Sequence, residues 1–147
     1  MSKIYAIAFI AVVILDAFCV TLVFPYLPRL DNISNAGIAL LPAIFIAFVS
    51  AIVIGIILLE LVGGILLKNL LERVGMSQKL SRAIVKNLYA TAAPMLNAVA
   101  LIMWTKLYPE LGFYRIFPDA LIAGMILHYI DYGVVVPWFF RLEEALK

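Results

Sequence analysis

Asp16, Glu60 and Asp131 interrupt stretches that are otherwise almost wholly apolar. A bare carboxylate at the centre of a bilayer costs roughly 3 kcal/mol even on lenient insertion scales, so such residues persist where a partner or a task holds them. His128 precedes Asp131 by three residues, a spacing that puts both on one helix face. A paired carboxylate and imidazole can relay a proton near neutral pH. Carboxylates joined by one imidazole also suit manganese, iron or zinc. The chain has a single histidine, however, and no Glu-x-x-His pair, so no metal ligand set is nominated.

Other chemistries find less support. Ser50 has no nucleophile motif around it, and no glycine-rich phosphate loop is present. One histidine excludes a haem held by two imidazoles of this chain. No catalytic residue and no cofactor is expected, and an enzyme is not the favoured reading. Cys19 is the only cysteine, so a disulfide within this sequence is excluded.

The elements that must position these residues follow from composition. Of 147 residues, 66% are hydrophobic and 14% charged, with a mean hydropathy of +1.12. A soluble domain of this size needs far more charged surface. The apolar sequence suffices for about four spans of roughly 20 residues each, with little left over. The expected fold is all-α, a four-span transmembrane helical bundle forming a single membrane domain over residues 1–147.

Span one is expected over about 4–27, closed by Pro25 and Pro28, because proline cannot continue a helix comfortably. Lys3 is followed at once by apolar residues, but no small-x-small cleavage site follows, so this span reads as uncleaved. Arg29 to Asn35 form a polar link. Span two covers about 42–67, opening at Pro42. Span three covers about 84–107 with Pro94 as a kink, and span four about 118–140. Between spans two and three, residues 68–83 continue the helical pattern past the membrane as a hairpin tip. Gly75 is the expected C-terminal cap of one arm and Ser77 the N-cap of the other. Pro42 and Pro118 open corresponding spans, and Ile46-Ala47 matches Ile122-Ala123 at the same offset, a faint two-plus-two repeat.

Basic residues set the orientation. Four spans put Lys3, Lys68, Arg73, Lys79, Arg82, Lys86, Arg141 and Lys147 on one side, and Arg29, Lys106 and Arg115 on the other. The side with more Lys and Arg is cytoplasmic, so both termini are expected there and the plasma (cytoplasmic) membrane is the expected location. Trp104, Tyr108, Tyr114 and Phe117 gather at the outer boundary and Trp138 near the inner one. Nucleic-acid binding is not indicated by so small a net charge, +2.

Counting helix rise at 1.5 Å per residue sets depths. Asp16, Asn97, His128 and Asp131 fall in one slab near the bilayer middle, and Glu60 lies nearer the cytoplasmic end. Span two carries Ala43, Ala47, Ala51 and Gly55 at every fourth position, a ladder that lets helices approach closely in lipid. Counting outward from the hairpin turn sets Gly55 opposite Asn97, with Glu60 pointing elsewhere at 3.6 residues per turn. Lys68, Arg73, Lys79, Arg82 and Lys86 are candidates for contact with lipid headgroups or a cytoplasmic partner.

The expected function is that of an ion- or proton-translocating channel or transporter component, with Asp16, Glu60, Asn97, His128 and Asp131 on the pathway. Four helices enclose little space, so a homo-oligomer or other membrane subunits are expected besides the lipid bilayer. A non-catalytic accessory subunit of a larger membrane complex is the alternative. An intramembrane metalloenzyme using Asp16, His128 and Asp131 is the second.

Overall fold

The computed structural model describes residues 3–26 and 38–145; for residues 4, 5, 26, 59, 60, 136, 139, 140, 142 and 143 it describes the backbone alone. The end of span one at residue 27, the link from Arg29 to Asn35, Lys147 and the Glu60 side chain therefore lie outside the described residues.

Long runs of Ile, Leu, Val, Ala and Phe leave the backbone no water to bond with in lipid, so its polar groups must be met within each helix. The described residues are accordingly helical, without a strand. Helix α1 (3–26) is α-helical over Lys3–Phe18, widens to a π-helix at Cys19–Val23, and ends in a tight 3-10 turn, Phe24–Tyr26, that contains Pro25. Helix α2 (Leu40–Arg73) begins two residues before Pro42 and is α-helical over Leu40–Ser50. It is π-helical over Ala51–Leu67 and α-helical again over Lys68–Arg73. Helix α3 (Gln78–Leu107) accommodates Pro94 in its interior. Helix α4 (116–145) opens on a turn in which Phe117 is extended, with φ −111° and ψ 135°. It continues through Leu121–His128, a π-helical Tyr129–Val135 and Val136–Ala145.

The turn between α2 and α3 is built from its sequence. Gly75 takes φ +92°, a conformation that a Cβ would strain. Its N–H donates to the Glu72 carbonyl and that of Met76 to the Leu71 carbonyl, the pair of bonds that closes a Schellman motif. Ser77 then caps α3 by accepting from the Leu80 N–H at 3.3 Å.

Each helix packs against its neighbours in sequence, α1 on α2, α2 on α3 and α3 on α4, and α4 returns against α1. The contacts are lined by small residues, with Ala17, Ala43, Ala47, Ala93, Ala98, Ala120 and Ala123 all buried. Where two helices meet on alanines, backbones approach within van der Waals reach and dispersion contacts accumulate. The closest approach is at Gly124 of α4. A Cβ built there would collide with the Pro94 carbonyl oxygen and lie 2.9 Å from the Ala98 nitrogen and 3.4 Å from the Asn97 Cβ.

The outward faces are apolar instead of polar. Ile7, Ile10, Leu22, Leu41, Phe45, Leu61, Leu66, Met103 and Met125 are all exposed. Three helices, Ala6–Val23, Leu40–Arg73 and Gln78–Leu107, are long and apolar enough to cross a membrane. An all-helical fold wearing its hydrophobic side chains on the outside is suited to lipid.

At the loop between α3 and α4, Thr105 is buried and works twice. Its hydroxyl donates to the Leu101 carbonyl at 2.8 Å and accepts from the Phe113 N–H at 3.1 Å. Phe113 in turn meets Phe24 edge-to-face, with ring centroids 5.5 Å apart. Trp104 donates from its indole Nε1 to Ser50 Oγ at 2.9 Å, which ties α3 to α2 at one height.

Candidate functional site

The acids of α1 and α4 meet. Asp16 is only 9% exposed, and its carboxyl is a close neighbour of that of Asp131 across the α1–α4 contact. Oδ1 of each is buried and has no hydrogen-bond partner. Cys19, one turn beyond Asp16 on α1, is buried within electrostatic range of both acids. Among the described residues, no lysine or arginine joins Asp16 and Asp131.

Local sequence explains how the pair is presented. Asp16 and Cys19 are three residues apart and so share a face, with Ala17, fully buried, between them. The π-helical turn begins at Cys19 on α1 and at Tyr129 on α4, so both helices widen next to the acid that they carry. Such wide turns inside helices are rare and recur at functional sites.

The other expected site residues are placed differently. His128 does not hold Asp131 through Nδ1, which is buried without a partner; its ring instead lies tilted on Tyr132, with centroids 5.1 Å apart. Asn97 sits against Gly124, one turn before His128 on α4, instead of opposite Gly55. Around Gly55, a Cβ would meet nothing within 4 Å. The physical reason is the π-helical stretch Ala51–Leu67, which changes the rotation per residue that a count at 3.6 assumes. Ala43 and Ala47 are buried in the main core and Ala51 packs against it, so the ladder runs into the core from its first three rungs. The α2–α3 contact farther along is made by Gly63, where a Cβ would lie 2.6 Å from the Tyr89 ring.

Sequence reasoning passed over Cys19, Thr21 and Gly124. Thr21 Oγ1 is a further buried hydroxyl without a partner, five residues past Asp16. Gly124 had a legible signal, since Ala120 and Gly124 form a small-xxx-small step of the kind that closes helix pairs. Among the described residues no group of three or more His, Cys, Asp or Glu side chains is gathered as a metal-ligand set.

At the hairpin tip Glu72 is the one acid between residues 61 and 109. It accepts from the fully buried Ser81 hydroxyl at 3.2 Å and pairs with Lys68 at 3.8 Å. Arg73, Lys79, Arg82 and Lys86 are exposed around it. Compared with known proteins, the chain matches no family model, no curated protein and no solved structure.

Proposed function

We propose that this chain is a single membrane domain of four spans, with both termini cytoplasmic, that carries protons or small cations through the Asp16–Asp131 pair. One observation carries this reading: two aspartates from different helices meet in an apolar interior with no described lysine or arginine beside them. A structural pair of that kind would be poorly chosen, because two acids repel once both ionise, whereas one acid with one base attracts. Two acids sharing a proton instead form a unit whose charge changes by one with each proton or cation that enters or leaves. The two Oδ1 atoms left without partners are the lone pairs such an entrant would meet. His128 and Thr21 add buried polar atoms on the same two helices and suit a path of water alongside.

Proteoliposomes holding a pH-sensitive dye and the purified full chain test this. The unmodified protein is expected to pass protons or a monovalent cation down an imposed gradient. Asp16→Asn, Asp131→Asn and the double variant are each expected to cut the rate by about a hundredfold or more, a general-acid magnitude at its low end. The double variant is expected to lose no more than either single change, since the two groups act as one. Absence of flux in the unmodified protein, or unmodified rates in both single variants, overturns the proposal.

A further inference from the structure

The turn between α2 and α3 is built as a cationic cap whose one carboxylate is withdrawn. Glu72 is half-buried and engaged by the Ser81 hydroxyl at 3.2 Å and by Lys68 at 3.8 Å, so its charge is partly offset within the hairpin. Arg73, Lys79, Arg82 and Lys86 remain exposed on the outside. Leu70, Val74, Leu80 and Ile84 are exposed among them, Val74 by 78%. Guanidinium and ammonium groups interleaved with bare aliphatic side chains fit the boundary between acyl chains and phosphates, where each kind finds its own surroundings.

Heights agree with that boundary. Trp104 is an interfacial residue type, and its hydrogen bond to Ser50 sets α2 and α3 at one level on the opposite side of the membrane. A hydrocarbon core of about 30 Å takes roughly 20 residues of helix. Counting from Trp104 along the α-helical α3 reaches the region of Ile84. Arg82 and Lys86 then lie within about one turn of headgroup level and Lys79 little farther, and the Ser81–Glu72 hydrogen bond sets Arg73 near their level, all inside a screening length of about 8 Å.

We infer that the α2–α3 turn, through Arg73, Lys79, Arg82 and Lys86, binds the headgroups of anionic phospholipids in the protein's own membrane. The Schellman turn at Gly75 and the Ser77 cap pre-organise the four cations, so little ordering accompanies contact. This inference rests on α2 and α3 crossing the bilayer and not on the acid pair, so either proposal can fail alone.

The test uses the full chain reconstituted in vesicles of phosphatidylcholine with spin-labelled phosphatidylglycerol or spin-labelled phosphatidylcholine as probe. Electron paramagnetic resonance gives the motionally restricted fraction of each. The unmodified protein is expected to restrict phosphatidylglycerol several-fold more than phosphatidylcholine, each surface cation contributing roughly fivefold in association. The quadruple variant Arg73→Gln, Lys79→Gln, Arg82→Gln, Lys86→Gln is expected to bring that ratio near unity. The charge-keeping variant Arg73→Lys, Arg82→Lys is expected to retain it, and an unchanged circular dichroism spectrum shows that each variant is folded. Equal restriction of both lipids by the unmodified protein overturns the inference. So does a preference that survives in the folded quadruple variant, or one that disappears only when Lys106 and Arg115 at the other end are changed to Gln.

Discussion

Gly124→Ala, set against Gly55→Ala, isolates the contact that holds α4 in place. Both exchanges add one methyl to a helical glycine, and both gain about 1 kcal/mol of helix propensity in the reference scale. Their surroundings differ completely. At Gly55 the new carbon meets nothing within 4 Å, whereas at Gly124 it lies 2.9 Å from the Ala98 nitrogen and closer still to the Pro94 carbonyl oxygen. Both obstacles at Gly124 are backbone, which cannot swing aside as a side-chain tip does. Reaching an ordinary separation of 3.4 Å from Ala98 alone requires α3 and α4 to part by roughly 0.5 Å, and the Pro94 contact demands more. Overpacking of this kind costs about 1–3 kcal/mol, and the lost dispersion along Ala93, Ala98, Ala120 and Ala123 adds to it. The expected outcome is that Gly124→Ala unfolds more easily than the parent by about 1–2 kcal/mol after the propensity gain, while Gly55→Ala is neutral or slightly stabilised. Gly124 is seven residues, or about 10 Å of rise, from Asp131, so parting the helices there also displaces the acid pair. Reversible unfolding in mixed detergent–lipid micelles, followed by the joint emission of Trp104 and Trp138, measures the stability term. Equal stability of the two variants would refute the close approach of α3 and α4 and, with it, the rotation of α4 that brings Asp131 to Asp16.

Two further outcomes follow from local geometry. Thr105→Val removes the buried hydroxyl that both donates to the Leu101 carbonyl and accepts from the Phe113 N–H; it is expected to cost about 1–3 kcal/mol in the same unfolding assay, with Thr105→Ser restoring most of it. Gly75→Ala forces a Cβ into φ +92° at the hairpin turn and is expected to cost about 1–2 kcal/mol, whereas Gly75→Asn costs less, because asparagine tolerates the left-handed region.

Much of the scaffold can be read from residue order because its rules are local. Apolar runs of about 20 residues become helices long enough for a bilayer, Gly75 ends one and Ser77 starts the next. Rise per residue is nearly constant along an α-helical stretch, so depth can be counted there, and Asp16 and Asp131 were expected at one level before any packing was known. Rotation about each axis is another matter. It depends on which neighbour a helix leans on and on whether its turns stay at 3.6 residues. The π-helical stretches at Cys19–Val23, Ala51–Leu67 and Tyr129–Val135 break that count, and no residue pattern announced them. Tertiary contact alone therefore decided that Asp16 faces Asp131, that His128 lies on Tyr132, and that Gly124 and not Gly55 receives Asn97. It also decided that Glu72 meets the Ser81 hydroxyl across the turn, with the cations of the turn exposed around it. Sequence determines the height of each side chain because backbone geometry is local; its facing emerges only when four helices compete for the same close contacts.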